Sequence, residues 1–335
     1  MQPTQCSCGT RLGMRRERWF PIPSLDRASA LIGMLALGSA AIAWELGVWM
    51  PPEVAALDAM AMTESGAGAA SSRVSSDRPD SGHTGSSPRG REILAGGYMG
   101  VAHTHPSTVE IKNPGRTDMT VRDFNWIGRP FKAPVYYGLR AIAWPENARV
   151  GAMLDFTHAK AIAVFDDIGT FSGSYEGKPL PPKARMGDVF KHLEFSHGHN
   201  MVTLNALARL GRFRVQPYVG AGAGISLPHT EVAFREEKGR TYEYQYAGLV
   251  GQALVGFEVP LGRVSVFVEY KFSYAPYDVP LSGVNGWLLV TDVWRQFKAW
   301  AGRETPPQGR LRTTLLTHHA IGGVLVRATA ASSAR

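Results

Sequence analysis

The stretch RVSVFVEYKFSY, residues 263–274, decides the fold of this chain. Its even-numbered positions are all apolar or aromatic, whereas the odd-numbered positions include Glu269 and Lys271. Successive side chains of a β-strand point to opposite faces of the sheet, so this stretch predicts a strand with one apolar and one charged face. The same alternation recurs in MVTLNALARL (201–210) and RVQPYVGAGAGIS (214–226).

Eight segments with strand character follow one another along the chain, and their connections are sorted by length. The second, fourth and sixth segments are followed by tight turns, PEN, GRF and PLG, and the others by long connections. Short turns at one end and long loops at the other are typical of outer-membrane barrels, and closure leaves no strand edge unpaired in lipid. We therefore predict an all-β fold, an eight-stranded antiparallel transmembrane up-and-down β-barrel with long extracellular loops. The predicted strands are 92–104, 134–144, 148–159, 199–210, 214–227, 243–259, 262–275 and 311–327.

The N-terminal third predicts an export signal and a spacer. Arginines precede an apolar run, Ala28–Ala43, that ends in a small-x-small site, which is typical of a secretory signal. The rival is an uncleaved membrane anchor, which Glu45 and the shortness of the run disfavour. The n-region is long, so we expect translation to start at Met14. The predicted organisation is a signal segment over 1–43, a disordered Ser/Gly-rich spacer over 44–91, the barrel over 92–327 and a tail over 328–335.

Charge and cysteine content limit the chemistry that the barrel can perform. The chain has 36 basic and 28 acidic residues, a formal net charge of +8, which favours an anionic partner without choosing among nucleic acid, a membrane surface and lipopolysaccharide. The two cysteines are Cys6 and Cys8, so disulfides, iron–sulfur clusters and thiolate catalysis are excluded from the predicted barrel.

The glycine-rich stretch GAGAG, residues 220–224, loosely resembles a nucleotide-binding fingerprint. It is followed by Ser226, Leu227 and Pro228 and not by a helix, so the fingerprint lacks its structural context. We interpret these residues as small side chains on a crowded barrel wall.

Histidines are the most chemically suggestive residues of the predicted barrel, and most fall at its outer rim. His197 and His199 are spaced i, i+2 within EFSHGHN, and the parity of the fourth strand predicts that both converge inward. His103 lies in a second H-x-H at the end of the first strand. Imidazoles of this kind with a carboxylate such as Glu194 suit Cu, Fe, Ni or Zn, so His103, His197 and His199 are candidate metal ligands and, with Glu194, candidate catalytic residues. The alternative is a set of ordinary polar loop residues.

Charged side chains suggest two further interpretations. The inward-facing charges are either catalytic or, as we favour by count, a salt-bridge network that holds the lumen rigid. The long loops are basic, as suits contact with phosphates or sugar acids, although any barrel set in lipopolysaccharide profits from a basic rim. The inward charges are Arg140, Asp155, Arg209, Glu258, Glu269 and Lys271, and the candidate substrate-binding residues are Lys112, Arg116, Lys132, Lys191 and Arg240.

Several separate blocks of the chain resemble the outer-membrane lipid A oxidases of rhizobia and related alphaproteobacteria. The resemblance covers roughly residues 92–327. The blocks are GGYMGVAHTHP, IKNPGRTDMTVRDFNW, KHLEFSHGHNMVTLN, PYVGAGAGISLPHTEV, TYEYQYAGLVGQA and VFVEYKFSYAPY.

The resemblance implies an outer-membrane enzyme, exported through the inner membrane. It would oxidise the proximal glucosamine of 1-dephosphorylated lipid A to an aminogluconate unit with O2, releasing H2O2. A divalent redox-active metal on the rim histidines would link the sugar to O2, and a histidine or Glu194 would take the proton of the sugar hydroxyl. The implied partners are lipid A or lipopolysaccharide and the barrel assembly machinery, with no nucleic acid, and the protein is expected to be a monomer. Two alternatives stay open: a non-enzymatic OmpA-like structural or adhesion barrel, and a lipid A hydrolase or acyltransferase. A hydrolase would use Ser196 or Ser226 as nucleophile, but Ser196 and the adjacent His197 are expected to face opposite sides of a strand.

Overall fold

The computed structural model describes residues 90–211 and 213–328. The predicted signal segment, nearly all of the predicted spacer and the tail after residue 328 lie outside these residues. Within them the chain forms one antiparallel sheet of sixteen strands, which we number in chain order, with two helices.

Eight of these strands form a closed barrel. Each pairs with its neighbours in the order β1-β5-β6-β10-β11-β14-β15-β16, and β16 pairs back onto β1 from Thr104 opposite Thr317 to Ile93 opposite Ala328. The hydrogen-bonded sheet therefore has no free edge along the barrel wall, and the predicted fold class is confirmed. The barrel strands are β1 (Glu92–Thr104), β5 (Tyr137–Trp144), β6 (Val150–Ala163), β10 (Phe190–Arg209), β11 (Gln216–Ser226), β14 (Gly248–Leu261), β15 (Val264–Pro280) and β16 (Arg310–Ala328).

The two faces of the barrel wall follow the alternation in the sequence. In β15 the even-numbered side chains point outward, with Val268 60% exposed, whereas Glu269 and Lys271 point inward and are buried. Leu154, Leu204, Val255 and other large apolar side chains are also exposed on the outside of the other strands. An outward apolar band around a polar interior is the surface pattern of a barrel that lies in lipid.

The lumen is filled by a salt-bridge network, as the interpretation of the inward charges predicts. Arg140 donates to Asp155 at 3.1 Å and to both carboxylate oxygens of Glu269 at 2.9 Å. Lys271 donates to Asp155 at 2.6 Å, and Tyr218 donates to Glu269 at 2.8 Å. Each of the four charges is paired, as buried charges require, and the network blocks the centre of the barrel.

The glycine-rich part of β11 packs tightly against β10. A Cβ atom at Gly222 would lie 2.2 Å from the carbonyl oxygen of Leu204, and one at Gly224 would lie 1.9 Å from that of Val202. These positions leave no space for a side chain, which confirms the crowded-wall interpretation of GAGAG.

The predicted long connections contain regular secondary structure. Together with extensions of β10, β15 and β16 they form additional strands and two helices, which we call the cap. Alternating apolar residues such as Val109 and Ile111, or Met119 and Val121, are fully buried and build an apolar core in the cap. The cap elements are β2 (Val109–Asn113), β3 (Thr117–Arg122), β4 (Trp126–Ile127), β7 (Ile168–Tyr175), β8 (Lys178–Pro179), β9 (Lys183–Arg185), α1 (Met186–Val189), β12 (His229–Phe234), β13 (Thr241–Tyr244) and α2 (Leu289–Trp300).

The cap lies at one end of the barrel, because the connections at the other end are short. Only a few residues separate β5 from β6, β10 from β11 and β14 from β15, and the four other connections carry the cap. In residues 90–211 and 213–328, neither helix has the length and apolar character needed to cross a membrane.

Candidate functional site

One face of the cap sheet carries a group of histidine, glutamate and tyrosine side chains. The N-terminal extension of β10 pairs with β12, and β12 pairs with β13. Alternation directs Leu193 and Val232 into the apolar core of the cap. The opposite face therefore carries the side chains of His192, Glu194, His229, Glu231 and Tyr242.

His192, Glu194 and Glu231 form a cluster with the character of a metal site. In the described part of the chain they are the one group of three acidic, histidine or cysteine side chains with potential ligand atoms all within 4.8 Å of one another. The Nδ1 atom of His192 lies 2.6 Å from Oε1 of Glu194 and 3.6 Å from Oε1 of Glu231. One imidazole and two carboxylates suit a divalent first-row metal ion. We call these three residues the carboxylate–histidine cluster.

The two carboxylates of this cluster lie close together on paired strands. Glu194 lies directly opposite Glu231 on the adjacent strand, and like charges in such pairs repel each other. Arg240 donates to Glu231 at 2.8 Å, and His192 contacts both carboxylates. A divalent cation between the two carboxylates would offset their mutual repulsion, so the donor set suits a metal in ligand type.

An aromatic–histidine cluster, made of His197, His229, Tyr242 and Trp287, adjoins the carboxylates on the same face. The His229 ring centroid lies 4.3 Å from that of Tyr242 and 5.1 Å from that of His197, and Trp287 stacks on Tyr242 at 5.8 Å. Burial, together with the nearby His197, lowers the pKa of His229 to about 4, so its imidazole is neutral at pH 7. Burial, with the charge of Glu231, raises the pKa of Tyr242, which stays a neutral phenol.

A cationic pocket borders the carboxylate–histidine cluster. Its volume is about 250 Å³, and its basic lining residues are Lys191, Lys238 and Arg240. His192 belongs to both the pocket wall and the cluster. An anionic group bound in the pocket would therefore lie next to the ligand atoms of the cluster.

The predicted convergence of His197 and His199 is wrong. The pairing of β10 with β6 shifts register between Phe195 and His199, and Gly198 within this bulge has a φ of 138°. An extra residue in a strand reverses the alternation that follows it. His199 is consequently buried in the barrel, where it hydrogen-bonds the hydroxyl of Tyr277, whereas His197 belongs to the aromatic–histidine cluster.

His103 does not join the other predicted metal ligands either. It lies on the outward face of β1, where its ring packs against His105 at 5.4 Å between centroids. Nε2 of His105 in turn lies 2.6 Å from Nε2 of His318 on the neighbouring strand. The predicted metal set of His103, His197 and His199 is therefore not assembled. The ring of His103 points out from β1, and the bulge in β10 places the rings of His197 and His199 on different sides.

Sequence reasoning named Glu194 but missed its two partners, His192 and Glu231. A signal for them exists, because H-x-E occurs twice, as His192-Leu193-Glu194 and as His229-Thr230-Glu231. In a strand this spacing puts both side chains of each pair on one face. The two copies belong to paired strands, and this pairing brings their glutamates together.

The five predicted substrate-binding cations are distributed over several parts of the cap. Lys191 and Arg240 line the cationic pocket. Arg116 reaches the rim of that pocket, since its guanidinium lies 3.6 Å from Glu237, a lining residue. Lys112 lies 4.0 Å from Asp118 on β3, and the backbone carbonyl of Lys132 accepts a hydrogen bond from Lys160; neither residue is among those that line the pocket.

Comparison with known proteins found solved structures that are similar to this chain. No protein-family model and no curated protein matches it. Among solved structures, the chain is similar to the outer membrane protein OprG from Pseudomonas aeruginosa, with 12% identity, 72% of this chain and 98% of that chain covered and a TM-score of 0.37. It is also similar to the outer membrane protein AlkL, with 12% identity, coverage of 78% and 100% and a TM-score of 0.34. A third is the outer membrane protease OmpT from Escherichia coli, with 8% identity, coverage of 71% and 97% and a TM-score of 0.36.

The class of protein follows from the barrel itself. A hydrogen-bonded antiparallel barrel with an apolar outer band, a charged interior and all of its long connections at one end has the architecture of an outer-membrane β-barrel.

Proposed function

We propose that this protein is an outer-membrane enzyme that oxidises the proximal glucosamine of 1-dephosphorylated lipid A to an aminogluconate unit, with O2 as electron acceptor. The observation that carries the proposal is the carboxylate–histidine cluster next to the cationic pocket. The substrate is an anionic lipid of the outer leaflet, and the pocket provides Lys191, Lys238 and Arg240 for its negative groups. The protein would reach this membrane through its N-terminal signal and the barrel assembly machinery, and act as a monomer.

The overall reaction defines what the site has to provide. The C1 hydroxyl of a free hemiacetal loses its proton, and two electrons with the C1 hydrogen pass to O2, which becomes H2O2. The resulting lactone takes up water to give the acid, so the product contains one oxygen atom more than the substrate. No ordinary side chain accepts two electrons, and the barrel has no nucleotide-binding fold for a flavin or nicotinamide.

His192, Glu194 and Glu231 would hold a divalent redox-active metal such as iron or manganese. When bound, the ion would supply an electron path between the sugar and O2. Arg240 would keep Glu231 oriented through its hydrogen bond at 2.8 Å. His197, a half-buried imidazole on the same face, would take the proton of the C1 hydroxyl, and Trp287 would offer a flat apolar surface to the sugar ring.

One experiment tests the oxidase directly. The detergent-purified protein is incubated with 1-dephosphorylated lipid A, with and without air and with and without a chelator, and the product is weighed by mass spectrometry. We expect a gain of one oxygen atom that requires air and is lost after chelation. An unchanged lipid in every condition would refute the enzyme proposal.

Matched variants separate the metal site from the proton acceptor. Glu231→Gln should lose both bound metal, measured by elemental analysis, and activity. His197→Gln should keep the metal and lose activity at least tenfold, because only the proton acceptor is removed. His105→Gln, on the outer barrel surface, is the control for loss of a histidine. If Glu231→Gln retains metal and full activity, the carboxylate–histidine cluster is not the site.

One observation favours a second candidate, a lipid A hydrolase. The bulge in β10 changes the expected alternation, so Ser196 and the adjacent His197 do meet, with Oγ 3.3 Å from Nδ1. A serine next to an imidazole can act as a nucleophile. In the same experiment a hydrolase would release an acyl chain without air, and Ser196→Ala would abolish that release while leaving oxidation intact.

A further inference from the structure

Helix α2 is held onto the cap by its polar side. The carboxylate of Asp292, 2% exposed, accepts a hydrogen bond from the backbone N–H of Tyr244 at 3.2 Å. The amide of Gln296 accepts from the N–H of Tyr246 at 2.7 Å and donates to its carbonyl at 2.9 Å. Arg295 donates to Glu243 at 2.6 Å. These contacts fix the rotation of the helix about its axis.

Because the polar side of α2 faces the cap, its apolar side is exposed. Val290 is 78% exposed, Trp294 54% and Phe297 50%, and their spacing of i, i+4, i+7 places them on one face. Thr291 and Lys298 form the polar flank beside this face. A surface helix of a soluble domain normally buries its apolar stripe and exposes its polar side, and α2 does the reverse.

The apolar face of α2 continues the apolar band of the barrel. Trp300 at the end of the helix packs edge-on against Tyr246, with 5.6 Å between the ring centroids. Three residues after Tyr246, Leu249 is 66% exposed on the outside of β14, at the upper end of the apolar band. Tryptophan and other aromatic residues with an apolar flank are typical of helices that lie at the boundary between lipid headgroups and acyl chains.

We propose that α2 is an interfacial membrane helix, whose apolar face of Val290, Trp294 and Phe297 is embedded in the outer leaflet beside the barrel. Its occupant is lipid, because the exposed face joins the lipid-facing band and the polar side is used for attachment to the cap. The helix begins at Leu289, two residues after Trp287 of the aromatic–histidine cluster. Anchoring α2 therefore holds that cluster at the membrane surface, whatever reaction the protein catalyses.

The chain allows a clean test with single nitroxide labels. Cys6 and Cys8 are the only cysteines, so Cys6→Ser and Cys8→Ser give a background free of thiols. Val290→Cys and Thr291→Cys form a matched pair, since both side chains are exposed neighbours on one turn and neither change removes an aromatic ring. Each labelled protein is reconstituted in phosphatidylcholine vesicles with or without lipid A, and spin relaxation is measured with O2, which concentrates in hydrocarbon, and with a water-soluble nickel chelate.

We expect the label at position 290 to be relaxed several-fold more by O2 than by nickel, and the label at 291 to show the reverse. Phe297→Cys and Lys298→Cys provide a second pair with the same expectation two helical turns later. Equal nickel access at 290 and 291 would overturn the proposal, because both faces would then be in water. Dipolar broadening between labels at 290 would also overturn it, because a second copy of the chain would then cover the face.

Discussion

The lumen network yields the sharpest prediction for stability, and Arg140 is the residue to change. Its guanidinium is fully buried and donates one hydrogen bond to Asp155 and two to Glu269. Two carboxylates and two cations give the network a net charge of zero. Arg140→Met removes one cation, and Lys271 remains 2.6 Å from Asp155, so Glu269 is left with the hydroxyl of Tyr218 as its polar partner.

The expected loss is large because a buried charge becomes unpaired. Removing one partner of a buried ion pair costs about 3–5 kcal/mol. This corresponds to roughly two to four powers of ten in the folding equilibrium constant. Adding Glu269→Gln removes the uncompensated charge and keeps an acceptor for Tyr218. We therefore expect the double variant to regain at least ~2 kcal/mol over Arg140→Met, since replacing both partners of a buried pair is often nearly neutral.

The assay is reversible unfolding in urea, in detergent or thin lipid vesicles, followed by tryptophan fluorescence. The four proteins of the cycle are the wild type, the two single variants and the double variant, and their coupling energy isolates the Arg140–Glu269 pair. A loss below ~1 kcal/mol in Arg140→Met, or strictly additive losses in the double variant, would refute the reasoning that the network is a stabilised, desolvated unit.

Three further outcomes are expected. Gly138→Ala would place a Cβ atom 1.9 Å from the ring of Tyr98 and should cost about 1–3 kcal/mol in urea unfolding, whereas Gly251→Ala, with its nearest neighbour at 4.0 Å, should change it little. The pKa of His229 is about 4 in the folded protein, below the ordinary 6.5, so the unfolded chain binds more protons between these two pH values. Stability should therefore fall as the pH is lowered from 6.5 towards 4. His229→Gln should reduce the decrease of the urea midpoint between about pH 7 and pH 5. Gln296→Ala leaves two backbone groups without their partner and should release α2, which limited proteolysis would detect as faster cleavage of the connection that carries the helix.

The barrel was predictable because lipid and a polar lumen impose opposite demands on the two faces of each strand. In RVSVFVEYKFSY this requirement is visible as alternation of apolar and polar residues. The alternating short and long connections indicate that consecutive segments are antiparallel neighbours in the barrel. The cap was not predictable in the same way. Its strands are as short as Trp126–Ile127 and gain their stability from a shared core with distant segments, which leaves little periodic signal in any one of them.

The candidate site was only partly predictable, because it depends on strand register. Sequence parity assumes an unbroken strand, and the bulge at Gly198 separates His197 from His199. The repeated H-x-E pattern could have suggested a cluster, but placing Glu194 opposite Glu231 requires knowing that β12 folds back onto the upper part of β10. Pairing of this kind is decided by packing across the whole cap.

Continuous pairing of β15 with β16 also bears on how the proposed lipid substrate would reach the candidate site. The pairs run without interruption from Val264 opposite Val326 to Pro280 opposite Arg310. A strand of 17 residues is ~56 Å long at about 3.3 Å per residue and, tilted by roughly 40°, rises ~43 Å, well beyond an apolar band of about 25 Å. The β15–β16 hairpin therefore extends from the barrel into the cap without a break in its pairing. This continuity leaves no hinge in the hairpin at the membrane surface. The proposed lipid substrate would therefore reach the site laterally, between the cap and the outer leaflet. Neither opening of a lid nor passage through a pore would be needed.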